Sequence, residues 1–126
     1  MRKVIFPILG IVVLIFAFFI FTRAPDIKTV ADDQAQLILF WGNGCPHCEV
    51  VKNFIKENHA DDKLKLSLKE VYYNRRNQDQ LQSKVKQCQT PGLDPNNIGV
   101  PLAYIPESNQ CLSGDTPIID WIKTKI

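Results

Sequence analysis

Hydrophobic positions in this chain change their period several times, and each change marks an expected element. From Val4 to Phe21, 18 residues pass without a charge, which predicts a helix of about 27 Å, close to the thickness of a bilayer's hydrocarbon core. Leu37 to Trp41 is apolar at every position, the pattern of a strand covered on both faces. After Gly42-Asn43-Gly44, apolar residues return at Val50, Val51, Phe54 and Ile55. That spacing predicts a helix over Pro46–Asn58. Leu64, Leu66 and Leu68 alternate with Lys63, Lys65, Ser67 and Lys69, so a strand with one face toward water is expected, its lysines suited to a sheet edge. A mostly polar helix follows over about Asn77–Gln89, with a narrow stripe of Leu81, Val85 and Cys88, closed by Pro91-Gly92. Leu102–Ile105 and Gln110–Leu112 read as two short strands joined by a turn. Gly114-Asp115-Thr116-Pro117 opens a last helix with Pro117 at its first position and Ile118, Ile119, Trp121 and Ile122 facing inward.

The resulting order is β-α-β-α-β-β-α, an α/β fold whose first two strands are parallel and joined by a right-handed crossover. Three regions are expected: a membrane anchor over 1–23, a polar tether over 24–36 and a folded domain over 37–126. A cleaved signal peptide fits less well, because its apolar region is shorter and Thr22-Arg23-Ala24 makes a poor cleavage site. Residues 1–29 carry four basic groups and one acid, a balance of +3. The remainder carries eleven basic and twelve acidic, a balance of −1. The basic pI thus belongs to the anchor, and a nucleic-acid partner is not expected. Flanking charges place the N-terminus inside, and four cysteines suit a domain on the extracytoplasmic side.

The chemistry concentrates in Cys45-Pro46-His47-Cys48. Strand, glycine turn, Cys-x-x-Cys and helix put Cys45 at a helix N-terminus, where unpaired N–H groups and the helix dipole favour a thiolate. Pro46 suits the first helical turn, where its missing N–H costs nothing. In thiol–disulfide exchange Cys45 is the expected nucleophile and Cys48, one turn inward, the resolving thiol. His47 is expected near the Cys45 sulfur, where imidazole can lend a hydrogen bond or positive charge. No cofactor beyond this disulfide is implied.

Two motifs carry a family resemblance: Trp41-Gly-Asn-Gly-Cys-Pro-His-Cys48, and Gly99-Val100-Pro101 about 50 residues later. Over about residues 36–126 the chain resembles the thioredoxin superfamily, and in its compactness the glutaredoxin-like branch. The resemblance implies a central mixed sheet flanked by helices. It also implies a cis Pro101 facing the active disulfide and a Val100 main chain that pairs with an extended substrate. Pro-His between the cysteines is similar to the dipeptide of bacterial Dsb-type oxidases, and scaffolds of this kind span on the order of 7 kcal/mol in redox poise. The chain departs from the pattern in three places. Leu39 stands where thioredoxins carry a buried acid, no basic residue lies in Gly42-Asn43-Gly44, and the long helical insertion of Dsb-type oxidases is missing. Only Gly114-Asp115 is similar to a glutathione-holding element, so glutathione is not expected as a substrate. The implied function is a membrane-anchored thiol–disulfide oxidoreductase acting on protein thiols and disulfides with a separate redox partner. The alternative is a thioredoxin-like binding module that holds a membrane partner with little redox turnover.

Other readings of the same residues are weaker. Cys88 and Cys111 are isolated, unlike paired zinc knuckles, and His47 and His59 lack supporting spacing, so no metal is expected. Covalent haem requires His directly after the second cysteine, and Glu49 stands there. Cys88 and Cys111 are open to three roles: a structural disulfide, free thiols or a second redox pair. Trp41 is expected to wall the active-site region and Trp121 to join the core. His59 suits a helix end, and Arg75 and Arg76 a solvated face.

Overall fold

Strand β1 (Leu37–Trp41) organises the domain because its alternate side chains enter different cores. In the computed structural model, which describes residues 2–21 and 26–126 and leaves the side chains of 2–8, 19 and 21 undescribed, Leu37 and Leu39 enter one cluster and Ile38 and Phe40 the other. The remaining elements are α1 (Arg2–Phe21), α2 (Pro46–Glu57), α3 (Ala60–Lys63), β2 (Leu66–Glu70), α4 (Arg75–Gln87), β3 (Leu102–Ile105), β4 (Gln110–Ser113) and α5 (Asp115–Lys123). The sheet order is β2-β1-β3-β4, with β1 parallel to β2 and antiparallel to β3, and β3 antiparallel to β4. This is a mixed α/β fold with a four-stranded sheet between helices.

One face of the sheet packs Leu37, Leu39, Leu66 and Ala103 against Val51 and Ile55 of α2 and Ile118 and Ile122 of α5. The other packs Ile38, Phe40, Leu102 and Tyr104 against only two buried residues of α4, Leu81 and Val85, with Cys111 beside them. Burying a side chain of this size stabilises by about 1.5–3 kcal/mol. Helix α2, which buries Cys48, Val51 and Ile55, is therefore held more firmly than α4, while α5 buries two residues, as α4 does.

Several element boundaries shift from the sequence expectation, each for a local reason. Strand β2 begins at Leu66 rather than Leu64, because the Leu64 N–H closes the α3 turn on the Ala60 carbonyl at 2.8 Å. Its second face is not left to water: Ser67 is 3% exposed and its hydroxyl donates to Asp32 Oδ1 at 2.6 Å. The edge position is as the lysines suggested. Helix α4 starts at Arg75, where Asn74 Oδ1 accepts the Asn77 N–H at 3.2 Å and caps it. It stops at Gln87, so Cys88 is its extended C-cap rather than part of the helical stripe. Helix α5 begins at Asp115, which makes Pro117 its third residue.

The stretch before β1 has a polar composition but lies against the domain. Val30 N–H donates to the Leu66 carbonyl and Gln36 N–H to that of Lys65, both at 2.8 Å. Ile27 and Val30 pack on opposite core clusters and Ala35 is buried. Asp32 gathers Ser67, Lys69 Nζ at 2.9 Å and Gln80 Nε2 at 2.6 Å. Composition suggests a tether because the three apolar contacts are spaced out among charged residues.

Helix α1 carries exposed apolar side chains such as Leu9, Val12, Phe16 and Phe18. Among the described residues no helix is long and apolar enough to cross a membrane. The anchor expected over 1–23 therefore has no support from them. Arg23 and residues 24–25 of the expected tether lie outside the described residues.

Candidate active site

The glycine turn after β1 delivers Cys45 to the head of α2. Gly44 adopts φ +78°, a left-handed conformation that other residues enter only with strain, and the Cys45 N–H returns to the Gly42 carbonyl at 3.2 Å. Cys45 is the N-cap in extended backbone, Pro46 is the first helical residue and Cys48 closes a disulfide with Cys45 across a Cα–Cα distance of 5.3 Å. The Cys48 N–H donates to Cys45 Sγ at 3.2 Å. Cys48 is fully buried and Cys45 is 7% exposed, while Pro46 and His47 stand in solvent.

A second strand end closes over the sulfur. The Val100–Pro101 peptide is cis, and the Val100 carbonyl oxygen lies 3.6 Å from Cys45 Sγ. The Pro101 carbonyl accepts the Gly114 N–H at 2.9 Å, which ties this turn to the start of α5. Two opposed dipoles thus meet at Cys45. The Cys48 N–H and the helix N-terminus stabilise a thiolate. The Val100 carbonyl instead accepts from a thiol and repels a thiolate.

His47 and Asp115 are hydrogen-bonded partners at the site. His47 Nδ1 lies 2.8 Å from Asp115 Oδ2, joining the heads of α2 and α5. The His47 hydrogen bond, reinforced by the Thr116 N–H at 2.7 Å, holds the Asp115 carboxyl below its ordinary range. In this disulfide form, which holds no Cys45 thiolate, the His47 hydrogen bond goes to Asp115.

Glu70 supports the turn from the end of β2. Its carboxylate accepts the N–H groups of Asn43 at 3.3 Å, Tyr72 at 2.8 Å and Tyr73 at 3.0 Å. Partial burial acts to raise its pKa, but these amide bonds outweigh it and hold the carboxyl below its usual range. The Tyr72 ring lies over Gly42 so closely that any Cβ there would overlap it.

The structure therefore brings Cys45, Cys48, Val100 and Pro101 together. Trp41, at the end of β1, has its ring centre 3.8 Å from Lys52 Nζ of α2, beside a cleft of about 230 Å³. Lys52 is itself paired with Glu49 at 2.8 Å. Cys88 and Cys111 are joined elsewhere, across a Cα–Cα distance of 5.6 Å between the C-cap of α4 and β4. Arg75 and Arg76 are exposed at the head of α4, and His59 is the left-handed N-cap of α3. Sequence reasoning passed over Glu70 and Tyr72 as site residues and met Asp115 only beside Gly114, as similar to a glutathione-holding element. Asp115 had a signal, since it follows Gly114 at a helix start; Glu70 and Tyr72 had none.

Among the described residues no group of three His, Cys, Asp or Glu could hold a metal. Set against known proteins, the chain matches no family model, no curated protein and no solved structure.

Proposed function

We propose that this chain is a thioredoxin-like thiol–disulfide oxidoreductase, anchored by residues 1–23, whose Cys45–Cys48 pair exchanges disulfides with extracytoplasmic proteins. The observation that carries the reading is the setting of Cys45 Sγ, which receives the Cys48 N–H at the head of α2 and faces the Val100 carbonyl before a cis proline. Anchoring rests on the uncharged run Val4–Phe21, and an inside N-terminus on the charges beside it.

In the reducing direction the Cys45 thiolate attacks one sulfur of a substrate disulfide. A Cys45–substrate disulfide forms and the first substrate thiolate leaves. The Cys48 thiolate then attacks Cys45 Sγ, closing Cys45–Cys48 and releasing the second substrate thiol. The two electrons pass from the protein dithiol to the substrate, and the same steps reversed oxidise a substrate dithiol. A separate dithiol or disulfide protein resets the pair. Val100 offers main-chain groups to an extended segment, which suits polypeptide substrates with little side-chain preference.

Cys48→Ser tests this. The variant is expected to accumulate mixed disulfides through Cys45, and Cys45→Ser is expected to form none. If no partner is trapped under oxidising conditions, the exchange reading fails. The low exposure of Cys45 favours the alternative, a binding module with little turnover. A Cys45 pKa near the ordinary 8.5, together with slow reduction of insulin, would select it.

A further inference from the structure

We infer that Asp115 is a positioning residue that holds His47 away from Cys45 and thereby limits how far the site favours the thiolate; this rests on the exchange reading proposed above. His47 lies two residues after Cys45 on the first turn of α2, and its ring is otherwise exposed, with 72% of the side chain open to solvent. Such a ring is free to choose its partner. In the disulfide form it has one hydrogen bond, from Nδ1 to Asp115 Oδ2 at 2.8 Å.

The carboxylate is itself fixed. Its Oδ1 accepts the Thr116 N–H at 2.7 Å, and the preceding residue, Gly114, is pinned to the Pro101 carbonyl. The pair therefore ties α5 to α2 directly beside the turn that carries Val100. Other acids on the neighbouring elements are already engaged: Glu49 with Lys52, Glu70 with three backbone amides and Asp120 with Lys123. Asp115 is thus the carboxylate that competes with a Cys45 thiolate for the imidazolium. While the imidazolium is paired with Asp115, the two charges cancel and little field reaches the sulfur. Freed from Asp115, His47 turns its charge toward the thiolate and opposes the repulsion from the Val100 carbonyl.

The test compares the full chain in detergent with Asp115→Ala, Asp115→Asn, His47→Ala and the double variant Asp115→Ala, His47→Ala. The Cys45 thiolate pKa is read from the pH dependence of its alkylation by iodoacetamide, with peptide mass spectrometry isolating Cys45 from the other cysteines. The dithiol–disulfide equilibrium is read in glutathione redox buffers. Asp115→Ala is expected to lower the Cys45 pKa and move the equilibrium about threefold toward the dithiol, the scale of a partly exposed ion pair. Asp115→Asn keeps an acceptor for Thr116 and His47 and is expected to shift less in the same direction. In the His47→Ala background the shift should disappear. A shift of equal size without His47 would mean that Asp115 acts through its own charge, and overturns the inference, as would an unchanged or raised pKa in Asp115→Ala. A site that exchanges neither with glutathione nor with a disulfide reporter peptide would instead overturn the exchange reading itself.

Discussion

The two disulfides occupy opposite kinds of helix end. Cys45 caps the N-terminus of α2, where a backbone N–H reaches its sulfur at 3.2 Å. Cys88 caps the C-terminus of α4, with Sγ 3.2 Å from the Lys84 carbonyl oxygen. Helix dipoles favour an anion at the first position and disfavour it at the second. The loops differ too: Cys45 and Cys48 are 3 positions apart, Cys88 and Cys111 are 23 apart. One pair sits at a helix N-terminus, which stabilises a thiolate, beside the main chain of Val100. The other closes a long loop that starts at the C-terminal end of a helix that buries only Leu81 and Val85. On the proposed reading, exchange belongs to the first pair and structural closure to the second.

The largest expected effect separates those roles. Cys45→Ala should reduce exchange with a disulfide reporter peptide by at least about a hundredfold, because the nucleophile is gone. The pair of substitutions Cys88→Ala and Cys111→Ala should leave it within about twofold. An equal loss from both would make Cys88–Cys111 a relay and erase the contrast.

Stability should rank the two pairs the other way. Opening the Cys88–Cys111 loop is expected to cost about 3 kcal/mol, and opening Cys45–Cys48 about 1.5 kcal/mol less, since the effect grows with loop length. For a domain of about 100 residues the larger loss lowers Tm by roughly 10–20 °C. Thermal unfolding of the two double-alanine variants checks the order, and an inverted ranking breaks it.

Much of this contrast was legible in the sequence, and the illegible part has a common cause. Leu37–Trp41, Leu102–Ile105 and the Cys-x-x-Cys helix declare themselves through local period and turn residues. The setting of Cys45 at a helix head followed from the same local pattern. Ser67 looked like the solvent side of a strand because its cover, Asp32, lies 35 positions earlier. Residues 26–36 looked like a tether because their partners, Leu66 and Lys65, are equally remote. Asp115 is 68 positions from His47. A single sequence carries no period or spacing that announces a polar contact between distant segments.

Gly42 tests how rigidly the exchange side is built. Ala at this position meets the Tyr72 ring, but that ring is about half exposed and can swing outward. The expected cost of Gly42→Ala is therefore about 1 kcal/mol, at the low end for overpacking. Adding Tyr72→Ala should recover most of it in a double-mutant cycle by denaturant unfolding. A cost with no recovery would show that Gly42 is needed for its backbone instead.

Asp32 gives the smallest effect and the finest check on the structural side. Helix α4 is held at its C-terminus by Cys88–Cys111 and over its first turns by polar bonds. Asn77 and Gln78 donate to the Glu70 and Val71 carbonyls at 2.8 and 2.6 Å, and Gln80 donates to Asp32. Burial acts to raise the Asp32 pKa, but Ser67, Lys69 and Gln80 outweigh it and hold the carboxyl below its ordinary range. A depressed carboxyl stabilises the fold fully above its unfolded pKa of about 3.9, and that contribution fades as pH falls through the folded value. Asp32→Asn should therefore cost about 1 kcal/mol at neutral pH, a figure reduced for a side chain that is one-third exposed. The gap from the parent should narrow only below about pH 4. Because the two fastenings grip opposite ends of α4, combining Asp32→Asn with loss of Cys88–Cys111 should be additive. A combined loss well above the sum would mean that α4 detaches as one unit, with each fastening guarding the other.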